Sequence, residues 1–300
     1  MNRRVFVVSA LALVLASIGP SATNAAAPFS EIVVFGDSVS DTGNVFLASA
    51  GTIAGPPYFE GRFSNGPVWV EVLAERLGLQ APGPSLLGGS NYAWGGAESG
   101  EGLSSFDTPN VGLQIDFFLN DRGGFTGHEL IVVGVGANDL SWDDPIPPAQ
   151  IVENIATQIR RLAAAGGRTV MVANLPRYGQ SPLLRGTPDE ADFNSDVADF
   201  NRLLKRELQR LRKDLVITIL PLDTNRLIDR MLRNPKRFGL SNVTSPACPG
   251  GGIGIPDRDA GDTVVPNPDE HMWWDFIHFT RVVHEAIGEL AAKVVDGDDD

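Results

Sequence analysis

Cysteines, histidines and cationic side chains are all scarce in this chain, and each shortage excludes something. Cys248 is the single cysteine, so no disulfide can form within the chain and a packed core must hold the fold. One thiol cannot build a cysteine-rich metal site, and Cys248 lies in the loop-like stretch SPACPGGG, a poor setting for a nucleophile. Only four histidines are present, His128, His271, His278 and His284. None has the His-x-His or His-Glu-x-x-His spacing of a metal enzyme. Lys and Arg total 24 against 37 Asp and Glu, for a formal net charge of −13. So acidic a chain repels phosphate backbones and anionic membranes, which argues against a nucleic-acid partner.

Long apolar runs are missing too, with one exception at the start. Arg3 and Arg4 precede the apolar stretch Val5 to Ile18, and Ala22 to Ala27 supply a small-residue exit. That order reads as a secretory signal over residues 1–27, and hence as a secreted or periplasmic protein. The stretch is short for a bilayer span of about 20 residues, so no stable membrane span is expected. Residues 28–295 read as one domain, and residues 296–300 as a solvated acidic tail. There is no internal repeat.

What the chain does have is a set of polar or glycine-rich turns set directly behind buried strands. Ile32, Val33, Val34 and Phe35 form a short β-branched and aromatic run, the pattern of a strand covered on both faces. The turn Gly36-Asp37-Ser38 follows, placing Ser38 at the carboxyl edge of a sheet, where open α/β proteins keep their ligands. Residues 90–102, SNYAWGGAESGEG, read as a short strand ending in Gly95 and Gly96, where the backbone can approach a ligand closely. Leu130 to Val135 runs straight into Gly136-Ala137-Asn138-Asp139. Further strands are expected at Thr169 to Ala173 and Leu215 to Leu220. Helical spacing marks Pro67 to Leu77, Val111 to Asp121, Ala149 to Ala164, Phe193 to Leu211, Asp223 to Leu232 and Arg281 to Val295. Strands alternating with helices give one α/β layer sandwich. Ser241 to Glu270 has five glycines, five prolines and no periodicity, and is expected to be either a substrate-side loop or a disordered one.

A fourth segment, Asp275-Phe276-Ile277-His278, lies just ahead of the last helix. A serine hydroxyl needs a base to become a nucleophile, and histidine suits the task. Asp275 precedes His278 by three residues, so on a tight turn its carboxylate can hold the imidazole. Backbone N–H groups at Ser38 and Gly96 and the Asn138 amide are available donors for an oxyanion. Singly, each of these residues is an ordinary cap or turn; their joint occurrence in this order points to acyl transfer. The competing base is His271, which has Asp269 close by in sequence.

These stretches together resemble the GDSL, or SGNH, hydrolases. FGDSVSDTGN matches that family's first block, NYAWGGA the second, GVGANDL the third and DFIH the last; RFSNGPVW resembles a segment of its lipase-like branch. Val39 replaces the leucine of the family's name, and Phe279 stands where proline is frequent. The resemblance implies a three-layer α/β/α sandwich around a flavodoxin-like five-stranded parallel sheet ordered 2-1-3-4-5. It also implies an esterase or lipase with Ser38, His278 and Asp275 as catalytic triad and Ser38, Gly96 and Asn138 as oxyanion hole. Neither metal nor organic cofactor is implied. The expected partner is a small-molecule or lipid ester, and the expected state a monomer. Two rival classes remain: a metal-dependent phosphoesterase using Asp37, Asp139 and His278, and a non-catalytic carbohydrate- or lipid-binding protein. Phe59, Phe63, Trp69, Trp94, Trp273 and Trp274 are candidates to line an acyl pocket.

Overall fold

The computed structural model describes residues 28–141, 145–250, 254 and 263–297. The leader expected at 1–27, the last tail residues 298–300, and residues 251–253 and 255–262 of the long loop lie outside the described residues.

Four parallel strands, β1 (Ile32–Gly36), β2 (Leu130–Gly134), β3 (Thr169–Ala173) and β4 (Thr218–Leu222), lie side by side in chain order. Their register sets Ile32 beside Leu130, Leu130 beside Thr169, and Thr169 beside Thr218. All four therefore end at one edge, with Gly36 beside Gly134. The side chains of Ile32 to Phe35 and Leu130 to Val133 are fully buried, as strands covered on both faces require. Burying each such side chain stabilises the fold by roughly 1.5–3 kcal/mol.

The fifth position is held by an extended segment on the outer side of β1. Val34 N–H donates to Ser90 O (3.0 Å), while Tyr92 and Trp94 donate to Val34 O (2.8 Å) and Gly36 O (3.0 Å). With that segment counted second in the chain, the order is the expected 2-1-3-4-5. It stays short of a regular strand because it lacks β-branched residues and because Asn91 also bridges to Pro84.

Helices α3 (Val111–Arg122), α4 (Pro148–Ala164) and α5 (Glu190–Asp214) form one covering layer. The other is built from α2 (Trp69–Arg76), α6 (Thr224–Arg233) and α7 (Arg281–Asp296). The sandwich thus has three layers. A short α1 (Asn44–Ala48), not expected from spacing, follows the serine turn. β4 begins three residues later than expected: Leu215 N–H still donates to Leu211 O at 2.9 Å, ending α5, and Val216 is 95 % exposed.

The stretch 241–270 is not simply a loop. Asn242–Pro246 forms β5, paired parallel to β6 (His271–Trp273) in a second small sheet. Val243 and Thr244 supply the β-branched pair there, too short a signal to stand out among prolines and glycines. A satellite cluster of Val45, Ala54, Tyr58, Phe63, Trp94, Cys248 and Trp274 packs beside the main core. Among the described residues no helix is long and apolar enough to cross a membrane.

One core group ties fold to pH. His284 of α7 is buried, and its Nδ1 accepts the Trp69 N–H at 3.2 Å. Burial, with the charge of His278 adding to it, pushes the imidazole down to about 3. The unfolded chain regains a value near 6.5, so between those limits the unfolded state binds the extra proton and stability rises with pH. The His284 contribution is complete above about pH 6.5 and is lost as pH falls toward 3. Asp37, Asp41 and Asp139 are raised by burial and act with the opposite sign, so the native protein must be compared with a variant. Between pH 7 and 4.5, native protein is expected to lose about 2 kcal/mol more stability than His284→Gln in urea titrations. Equal losses would contradict this account of the buried imidazole.

Candidate active site

The serine turn begins where β1 meets β2. A Cβ on Gly36 would lie 2.3 Å from Gly134 O, so only glycine lets the two strand ends close together. Gln114 of α3 fixes this end. Its Oε1 accepts Gly36 N–H and its Nε2 donates to Gly36 O, both at 2.9 Å. Beyond it, Ser40 and Asp41 N–H groups both donate to Asp37 O at 3.0 Å, folding the turn that projects Ser38.

Ser38 Oγ lies 2.9 Å from His278 Nε2, across 240 residues of sequence. His278 Nδ1 lies 2.7 Å from Asp275 Oδ2. The other carboxylate oxygen, Oδ1, accepts the backbone N–H groups of Ile277 (2.9 Å) and His278 (2.7 Å). Burial pushes the Asp275 carboxyl up, but the His278 charge and these N–H bonds outweigh it and hold it below the usual carboxylate range. The carboxylate is thus ionised and aimed at the imidazole. Phe63 packs against the His278 ring at 4.9 Å between centroids. The three sequence-derived groups form one hydrogen-bonded chain. His271, the competing base, sits on β6 with Nδ1 3.1 Å from Ser245 O, and Asp269 pairs instead with Arg281.

The oxyanion candidates border the same space. Gly96 adopts φ +79, open to glycine at little cost. Among the described residues, no acceptor takes the N–H of Ser38 or of Gly96. Asn138 Nδ2 gives one hydrogen to Ala97 O (2.8 Å), and an amide nitrogen carries two.

Two buried carboxylates clamp the glycine loop from either side. Asp41 Oδ1 accepts Gly43 and Asn44 N–H, both at 2.7 Å, while Oδ2 accepts Val45 N–H (3.2 Å) and Gly95 N–H (3.0 Å). Asp139 accepts the Ser99 N–H at 3.0 Å and the Ser99 hydroxyl. Burial pushes both carboxyls up to about 6, against the pull of those donors. Asp37 accepts the Val39 N–H (3.0 Å), and its burial pushes it up to about 7. The trio of the metal-dependent reading is therefore engaged in separate tasks. Among the described residues no three ligand-type side chains cluster to hold a metal.

A cavity of about 170 Å3 opens over Ser38 and His278, walled by Val39, Val45, Ile53, Phe63, Phe106 and Ile277. Of the six aromatics put forward from sequence, only Phe63 reaches it. Trp94 and Trp274 sit in the satellite cluster, and Trp273 is core, stacked on Phe279 at 4.8 Å. Trp69 is core as well, with its indole N–H donating to Ser40 Oγ at 3.0 Å. Phe59 lies under the Arg62 guanidinium.

A serine hydroxyl on an imidazole, itself held by a buried carboxylate at the carboxyl edge of a parallel sheet, marks an ester-hydrolysing serine hydrolase. Residues 32–291 match the GDSL-like Lipase/Acylhydrolase family, and the chain belongs to it. A phosphatidylcholine-sterol acyltransferase of Aeromonas hydrophila is 29% identical, with 94% of this chain and 95% of the relative covered. Acetylajmalan esterase 2 of Rauvolfia serpentina is 28% identical over 87% of this chain and 88% of its own length. The fold resembles that of an alpha/beta hydrolase from the Lake Arreo metagenome, with a TM-score of 0.51 at 14% identity, covering 90% and 97% of the two chains.

Proposed function

We propose that this protein cleaves neutral esters with an apolar acyl part through an acyl-enzyme on Ser38. His278 Nε2 takes the hydroxyl proton as Ser38 Oγ attacks the ester carbon, and Asp275 supports the imidazolium that forms. The tetrahedral oxyanion is met by the N–H groups of Ser38 and Gly96 and by the Asn138 amide. As the C–O bond breaks, His278 returns the proton to the departing alcohol; water then repeats the sequence to release the acid.

The observation that carries this reading is the continuous Ser38–His278–Asp275 chain, 2.9 and 2.7 Å per link, opening into an apolar cavity. No Lys or Arg stands among the described residues that line the cavity, so an anionic acyl group finds no partner there. The relative named for phosphatidylcholine and sterol supports a lipid-type acyl donor.

A panel of p-nitrophenyl esters tests it. Each buried methylene is worth about 0.8 kcal/mol. Hence kcat/KM is expected to rise about fourfold per added methylene until the cavity fills, and hemisuccinates should be poor substrates. A maximum at acetate, or a preference for hemisuccinates, would contradict the apolar-acyl reading.

A further inference from the structure

The acid of the hydrogen-bonded chain has a fourth partner that comes from far away in sequence. Tyr58 donates its hydroxyl to Asp275 Oδ2 at 2.7 Å, across 217 residues, onto the same oxygen that holds His278 Nδ1. Its ring is 3 % exposed and meets Trp274 edge-on at 6.0 Å and Phe63 at 6.4 Å. Phe63 in turn packs on His278. The phenol oxygen also accepts the Gly254 N–H at 3.2 Å.

We infer that Tyr58 is a positioning residue for the hydrolytic site, one that orients Asp275 and sets how much of its charge His278 feels. The inference rests on the roles given to Ser38, His278 and Asp275 above. A carboxylate oxygen has about two good acceptor sites, and on Oδ2 the two short bonds go to Tyr58 and His278, with the Gly254 N–H a longer third donor at 3.4 Å. Asp275 is fully buried, so its charge is answered only by the donors around it. The positive end of the Tyr58 O–H dipole draws charge away from the imidazole and pins the carboxylate plane. Without it the carboxylate is freer to turn, and more of its charge falls on His278, favouring the protonated, inactive base. Packing alone cannot give this result, because phenylalanine keeps the ring contacts.

Tyr58→Phe is therefore expected to shift the acid limb of kcat/KM upward by about half a pH unit, as loss of one hydrogen bond of ordinary strength implies. It should also lower kcat about tenfold while KM changes little. Asp37 and His284 lie within electrostatic reach of His278, and Cys248 within reach of Tyr58; the variant replaces none of them. Ser38→Ala runs beside it, with circular dichroism to confirm folding of both. An unshifted limb with near-native kcat in Tyr58→Phe, while Ser38→Ala is inactive, overturns the role of Tyr58 alone. Activity surviving in Ser38→Ala overturns the reading beneath it. A measurement on native protein guards against a variant that fails to fold. The Tyr58 hydroxyl proton should resist exchange and show a nuclear Overhauser contact to the His278 Nδ1 proton; its absence would overturn the inference as well.

Discussion

Ser38→Ala and His278→Ala are each expected to lower kcat by about 10³-fold or more. The two atoms are 2.9 Å apart, and neither does its task without the other: an unassisted hydroxyl is a weak nucleophile, and an imidazole without Ser38 has no proton to take. The double variant should therefore be scarcely worse than either single one, since groups that act as a unit lose their effect together. Asp275→Asn should also be severely impaired. The amide cannot supply the charge that supports the imidazolium, and it puts an N–H where His278 or Tyr58 must donate. His271→Ala is the control, because that ring, on β6, faces Ser245 O of β5. An inactive His271→Ala beside a folded, near-normal His278→Ala would reverse the assignment.

Asn138→Ala is expected to lower kcat by about 10²–10³-fold with a much smaller change in KM. The ester carbonyl carries only a partial charge in the ground state, whereas the tetrahedral intermediate carries a full one. A donor placed for the latter therefore acts mainly on kcat. The variant also loses the bond to Ala97 O, so thermal unfolding must accompany the kinetics. A fall in kcat at unchanged melting temperature fits an oxyanion donor. A fall in stability with kcat preserved would make Asn138 only a loop tie.

Much of this site was legible because its residues obey local rules. Ser38, Gly96 and Asn138 each follow a short extended run, and a polar residue directly behind a buried strand has few places to be other than the sheet's carboxyl edge. Asp275 and His278 are three residues apart on one turn, a pairing that spacing alone suggests. Tyr58 had no such signal. Its bond to Asp275 spans 217 residues and joins two irregular loops, where periodicity is silent. The clamp formed by Asp41 was equally hidden, since FGDSVSDTGN does not say that Gly95 will lie against its carboxylate. The cavity walls were misjudged for a different reason. Aromatic type reports burial rather than which void a ring faces, so Trp273 and Trp69 proved to be core while Val39, Val45 and Ile277 line the space. The β5–β6 pair was masked by surrounding prolines and glycines, and its parallel partner lies beyond reach of any local pattern.

The central claim is that Ser38 is the atom acylated during turnover. The direct measurement is labelling of the folded protein with a fluorophosphonate, followed by intact mass and peptide mapping. The account predicts one adduct per chain, on Ser38, formed in step with loss of esterase activity, and none in Ser38→Ala. An adduct on another residue, or esterase activity that persists once Ser38 is fully modified, would contradict it.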